Sequence, residues 1–108
     1  LKKDGKKGYA AAMESTLRLT TLVDNLEKAP QKADKAAVEK ELSEIEALLK
    51  SINNDRGQVL AERYNSVVGD VRQVLADPSD NNLNNMIQGF NGYIDTYNST
   101  TPDQFDAK

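Results

Sequence analysis

The sequence predicts an all-α fold, an up-down-up-down four-helix bundle. Three observations carry that prediction. Apolar residues recur in alternating steps of four and three in four separate runs. Proline, glycine and Asn/Asp clusters separate the runs by only a few residues. No run alternates with the period of two that a half-buried strand requires. At 108 residues the chain has the size of one domain, long enough to bury a single core without disulfides.

The first run places Ala12, Thr16, Leu19, Val23 and Leu26 on one face, and the second places Val38, Leu42, Ile45, Leu49 and Ile52. The third gives Leu60, Tyr64, Val67, Val71 and Val74, and the fourth Leu83, Ile87, Phe90, Ile94 and Tyr97. Met13, Leu22, Leu48, Val68, Leu75, Met86 and Tyr93 flank these positions and widen each stripe to the face a globular bundle buries. Pro30, the Asn53–Gly57 cluster, Asp77-Pro78-Ser79 and Thr101-Pro102 end the four runs in turn. Asp34 and Asp55 stand where the second and third helices need an N-cap, and Ser79 or Asp80 where the fourth does. The expected organisation is a flexible basic arm over 1–8, helices over about 9–29, 34–53, 56–77 and 79–98, and an irregular tail over 99–108. Helices of this length run roughly 30 Å, and such short connections join antiparallel neighbours. Phe105, the large apolar residue of the tail, is a candidate to pin it to the bundle.

Composition excludes much chemistry. The chain has no Cys, His or Trp. Thiolate nucleophiles, thiolate metal sites and disulfides are therefore ruled out, as are the commonest general base and the commonest transition-metal ligand. Glu39, Glu41, Glu44 and Glu46 crowd the second helix among Lys35, Lys40 and Lys50. A di-metal bundle would need inward glutamates with a Glu-x-x-His pair, so these carboxylates read as a solvated face with opposite charges nearby. No calcium-loop or phosphate-cradling glycine motif is present, and Ser, Thr and Tyr have no evident base to activate them. Arg18, Arg56, Arg63 and Arg72 are scattered in an acidic chain, which argues against nucleic acid. The expectation is a non-catalytic protein without cofactor or metal. A ligand-binding bundle would need an internal pocket, which large side chains in all four stripes oppose.

Two features point to a working surface. Lys2, Lys3, Lys6 and Lys7 crowd the first eight residues against Asp4 alone, while the rest of the chain carries 16 acids and 10 bases. Such an arm is either an electrostatic handle for an acidic surface or a solvated terminus. The fourth helix has no charge from Asn81 to Tyr93, holding instead Asn81, Asn82, Asn84, Asn85, Asn91, Gly89 and Gly92. Asn and Gly are poor helix formers. That choice reads either as a face laid against a partner, with Asn81, Asn84, Asn85 and Asn91 in contact, or as neutral drift. Tyr64 and Tyr97 fall on their stripes with Asn65 and Asn98 beside them, predicting core rings whose phenol tips reach the rim. The start at Leu1 rather than Met is consistent with an arbitrary boundary or with a terminus left after removal of a targeting segment. No stretch has the roughly 20 apolar residues of a membrane span.

The stretch Leu22-Val23-Asp24-Asn25-Leu26, the Ala29-Pro30 break, Ala37-Val38 through Glu41-Leu42 to Leu48-Leu49, and the closing Asn82-Leu83 to Tyr93-Ile94-Asp95-Thr96-Tyr97-Asn98 run resemble the PsbQ-like extrinsic proteins of photosystem II. The pattern spans roughly residues 9–98 and is nearest in character to the small diatom-type members. The resemblance implies a peripheral, non-catalytic four-helix bundle, monomeric when free, in the thylakoid lumen. Its implied role is to dock on the photosystem II core and support the oxygen-evolving centre by retaining calcium and chloride. The long proline-rich arm of the plant-type members has no counterpart in these residues, so none of its docking residues is carried over. A second resemblance competes. Arg63-Tyr64-Asn65-Ser66-Val67-Val68, and the Phe90-Asn91 and Tyr97-Asn98 pairs seven residues apart, are similar to the paired Tyr-Asn heptad of bacterial LemA-type helical proteins. That likeness implies a protein-binding module of the bacterial periplasm or cell surface.

Overall fold

A computed structural model describes residues 7–106. Four helices follow one another: α1 (Lys7–Lys28), α2 (Lys35–Lys50), α3 (Asp55–Ala76) and α4 (Asp80–Ser99). A 3-10 turn over Pro30–Lys32 joins α1 to α2, and a second 3-10 segment, Pro102–Asp106, closes the described chain. The described residues contain no strand. Neighbours along the sequence pack side by side and α4 closes the ring against α1, which is the expected up-down-up-down bundle. The bundle is flattened: α1 and α3 touch across the diagonal, whereas α2 and α4 do not meet. The molecule measures 47 × 23 × 17 Å.

The caps explain the boundaries. Asp34 accepts from the backbone amides of Ala36 and Ala37 at 3.0 and 3.5 Å. Ser79 accepts from Asn82 at 3.2 Å. At α3 the cap is Asn54, which accepts from Gly57 at 3.0 Å, and not Asp55. Asp55 is the first helical residue, where its charge favours the positive end of the helix dipole. Asp77 ends α3 in an extended conformation because the residue before a proline is driven out of the helical region.

In α1, α2 and α3 the sequence-derived stripes are the core. Leu19, Ile45, Leu60, Val67, Val71 and Val74 are completely buried, and all the remaining stripe positions are nearly so. In α4 the expectation is displaced. Leu83, Ile87, Phe90, Ile94 and Tyr97 are half-buried, and the deepest residues are Met86 and Tyr93, which the sequence placed at the flank. The reason is the flattening. With nothing from α2 opposite it, α4 rolls toward α3, against which it packs most extensively. Met13, expected to widen the α1 stripe, is 41% exposed.

Polar atoms in the core are matched. The Ser15 and Thr16 hydroxyls donate to the carbonyls of Ala11 and Ala12 at 2.7 and 2.8 Å. Thr16 Oγ1 also meets the Tyr93 hydroxyl at 3.1 Å, joining α1 to α4. The Tyr64 hydroxyl does not reach the rim as expected. It is buried and donates to the Leu42 carbonyl, tying α3 to α2.

Candidate interaction surfaces

The two broad sides of the bundle differ in charge. On the α2 side the carboxylates are engaged by arginines from both neighbours. Arg18 of α1 forks onto Glu41, donating from Nε at 2.9 Å and Nη2 at 2.7 Å, and also contacts Glu44 and Glu14. Arg72 of α3 forks onto Glu39 at 3.1 and 2.9 Å. The bidentate geometry gives these pairs a direction as well as an attraction. The guanidinium groups hold the Glu39 and Glu41 carboxyls below the usual range, against the opposing pull of desolvation. Glu39, Glu41 and Glu44 are therefore inter-helix fasteners, while Glu46 pairs within α2 with Lys50 at 3.3 Å. Among the described residues no three acidic groups are arranged to hold a metal ion.

The opposite side, formed by α1 and α4, is uncharged over most of its length. Asn81, Asn84, Asn85 and Asn91 are all exposed on α4, and Gln88 stands among them. Asn84, Gln88 and Asn91 follow at the spacing of one helical row. Asn82 is the exception in the asparagine run. It is half-buried and donates to the Asp77 carbonyl at 2.8 Å, so it belongs to the turn. On α1, Tyr9, Met13 and Leu17 form a row at steps of four on the edge whose Thr16 reaches Tyr93. Met13 and Leu17 are 41% and 63% exposed. The only charged residues of α1 between Tyr9 and Val23 are Glu14 and Arg18, and both belong to the α2-facing network. An apolar pair on α1 and an amide-rich helix thus share a side on which the exposed charges are the paired Asp24 and Lys28 toward one end and Asp95 toward the other. The sequence flagged the amides; Met13 and Leu17 it assigned to no surface.

The second sequence candidate lies elsewhere. Lys7 is exposed as the first residue of α1, and Lys2, Lys3 and Lys6 lie outside the described residues. Because α4 runs antiparallel to α1, Lys7 sits at the end where α4 finishes, and Asn81 to Asn85 lie at the opposite end of the long axis. Only Asn91, near the middle, lies between them. The basic segment and the amide cluster do not form one site.

At the Lys7 end the C-terminal segment makes a third feature. Expected to be irregular, it folds into the 3-10 turn Pro102–Asp106, here called the strap. Phe105 is 2% exposed, its ring 6.0 Å from that of Tyr97 and 6.5 Å from that of Tyr9. The Asp106 carboxylate accepts from the backbone amides of Gly8 at 2.6 Å and Tyr9 at 3.2 Å, serving as the cap of α1 from the far end of the chain. Asn54 donates to the Gln104 carbonyl at 3.1 Å. Gly8 is needed for this approach, since a Cβ there would fall 2.1 Å from the Phe105 carbonyl oxygen. Burial, together with the neighbouring Tyr9 phenol, pushes Tyr97 up to about 12.

A cleft of about 430 Å³ opens at the α1–α2 elbow, lined by Leu22, Leu26, Ala33 and Val38 with Lys28 and Lys32 at its edge. Lys28 is paired with Asp24 at 3.0 Å. No family model, no curated protein and no solved structure matches the chain.

Proposed function

We propose that the chain is a non-catalytic docking subunit that lays its sparsely charged α1/α4 face against a protein partner. The observation that carries this reading is the division of charge. Every arginine–carboxylate fork lies on the α2 side, whereas the α1/α4 side exposes Met13, Leu17 and a row of amides. Protein contacts are depleted of charge at their centre and rich in adaptable polar groups. A buried unpaired charge is costly there, and an amide or a methionine is not.

The PsbQ-like pattern supplies the partner in this proposal: the lumenal side of the photosystem II core, where the protein would support the oxygen-evolving centre. No helix among the described residues is long and apolar enough to cross a membrane, which suits peripheral attachment. Lys2, Lys3, Lys6 and Lys7 then steer the approach to an acidic surface, and the α1/α4 face supplies the contact. Steering of this kind is screened beyond about 10 Å at 0.1 M salt.

The test is rebinding of the protein to salt-washed photosynthetic membranes. Wild type rebinds at low salt and releases as salt rises. Leu17→Glu with Asn91→Glu lowers affinity at least tenfold, about 1.4 kcal/mol, without loss of helicity, because both sites are exposed. Failure of the wild type to rebind overturns the photosystem assignment. Rebinding that ignores both glutamates overturns the face.

One observation favours the LemA-like reading. Asn91 and Asn98 are both exposed and lie seven residues apart, so the two Phe/Tyr-Asn pairs present their amides along one row. In that case the same face binds an envelope protein, and the double variant loses that partner instead.

A further inference from the structure

The cleft at the α1–α2 elbow is not the internal pocket that the packed stripes oppose. It is a surface trough of about 430 Å³, within the range of small-molecule sites, and its cause is local. Ala29, ahead of Pro30, leaves the helical region, and the chain turns through Pro30–Lys32 and an extended Ala33 before α2 begins. Ala29, Ala33 and Ala37 line the angle so formed, and their methyls are too short to fill it. Leu22, Leu26 and Val38, all buried, make the floor. The charged groups at the rim are committed except one. Asp34 turns its carboxylate to the Ala36 and Ala37 amides, and Lys28 pairs with Asp24 at 3.0 Å. Lys32 pairs with no carboxylate among the described residues. An apolar trough with one uncommitted ammonium at its mouth is complementary to an apolar body ending in a single anionic group. A second anionic charge would find no free cation on the lining. A peptide would bring backbone amides and carbonyls to walls where the Asn25 side chain is the one free amide.

We propose that this cleft is a binding site for a small monoanionic amphiphile, a straight-chain carboxylate. Its alkyl part lies over Leu22, Leu26 and Val38, and its carboxylate meets Lys32. The site is separate from the α1/α4 face, since α4 contributes nothing to its lining, and neither reading depends on the other. Lys32 is exposed, so its ammonium supplies selectivity, and burial of methylenes supplies most of the affinity.

The experiment titrates the full chain with straight-chain carboxylates from hexanoate to dodecanoate, below their micelle-forming concentrations, and follows methyl and amide signals by NMR. The Leu22, Leu26 and Val38 methyls and the Ala33 amide shift together, while Leu60, toward the opposite end of the bundle, does not. Affinity rises about fourfold per added methylene and levels off once the cleft is full, which adsorption to exposed apolar surface would not do. Wild type prefers each carboxylate to the alcohol of equal length by about two- to fivefold. Lys32→Gln removes that preference and leaves alcohol binding unchanged. Ala37→Phe, at an exposed position of α2, fills the cleft and lowers the affinity for both ligands about tenfold, the loss of roughly two methylenes' burial. Asn25→Phe does the same from the α1 wall, so if either variant loses helicity the other carries the test. Absence of saturable binding by wild type overturns the proposal. So do binding that ignores both phenylalanines, shifts centred on Met13 and Leu17, and a carboxylate preference that survives Lys32→Gln.

Discussion

Replacing Gly92 by Ala should make the protein more stable, and the glycines around it set the scale. Gly92 lies inside α4, and a Cβ there would have no neighbour within 4 Å. The substitution gains helix propensity and restricts the unfolded chain without a packing penalty, worth about 0.5–1 kcal/mol. For a domain of this size that moves the melting midpoint upward by about 4–8 °C per kcal/mol. Gly69 is equally open and should behave alike. Gly89→Ala should gain less, since the new methyl pushes the Asp70 carboxylate, though only the end of a flexible side chain has to move. Gly57 is the counter-case. Its Cβ would stand 2.3 Å from Ile52 Cγ2 and 2.9 Å from the Ile52 carbonyl oxygen, at a rigid turn, so alanine there should destabilise. Urea unfolding followed by helical circular dichroism measures all four on one scale. A loss of stability at Gly92 would refute this account of α4 packing, and a gain at Gly57 would refute the close packing of the α3 start on Ile52.

Three further outcomes follow from the titrating groups and the core. Glu39 and Glu41 have folded-state pKa values held down by Arg72 and Arg18, so their stabilisation is present above the ordinary carboxylate range and fades as pH falls through it. Glu41→Gln should flatten that acid limb in a pH series of urea midpoints. Asp70 has the opposite sign: burial raises its pKa, so its protonation favours the fold as pH falls, and Asp70→Asn should raise stability at neutral pH. Tyr93 and Tyr97 are pushed up to about 12, chiefly by burial, against about 10 unfolded. Stability should therefore decline as pH rises from about 10 toward 12, and absorbance at the phenolate band should show late-titrating tyrosines that Tyr93→Phe reduces by one.

The limits of the sequence reading follow the range of the interactions. The core positions of α1 to α3 were legible because helical periodicity acts within each segment, and each helix is packed on enough sides to bury its whole stripe. The core of α4 was not, because its rotation depends on α2 being out of reach and on the packing against α3, neither of which is encoded locally. Arg18 and Glu41 each adjoin a stripe residue, Leu19 and Leu42, on neighbouring antiparallel helices; that flanking position was the available signal for their fork. Asp106 capping Gly8 joins residues 98 apart in sequence, and only the lone Phe105 in a polar tail hinted at it. The exposed asparagines of α4 were readable as a surface by the absence of charge alone. Their separation from Lys7 required the helix directions.

That absence of charge is the feature the fold itself does not require. α4 is capped by Ser79, begins with Asp80 and is held along one side by α3, so it would remain helical with lysines and glutamates on its outer face. Such residues are also better helix formers than asparagine and would add side-chain pairs of the kind seen at Lys28–Asp24 and Lys50–Glu46. Summed over five asparagines and two glycines, the propensity given up is of the order of a few kcal/mol, a sizeable share of a typical domain's net stability. The cost falls on the helix with the least buried stripe, where the fold can least absorb it. The contact surface proposed above would account for this placement, because a partner would return on binding the stability the free helix lacks, and the uncharged run from Asn81 to Tyr93 leaves no charge of its own to be stranded when water is excluded.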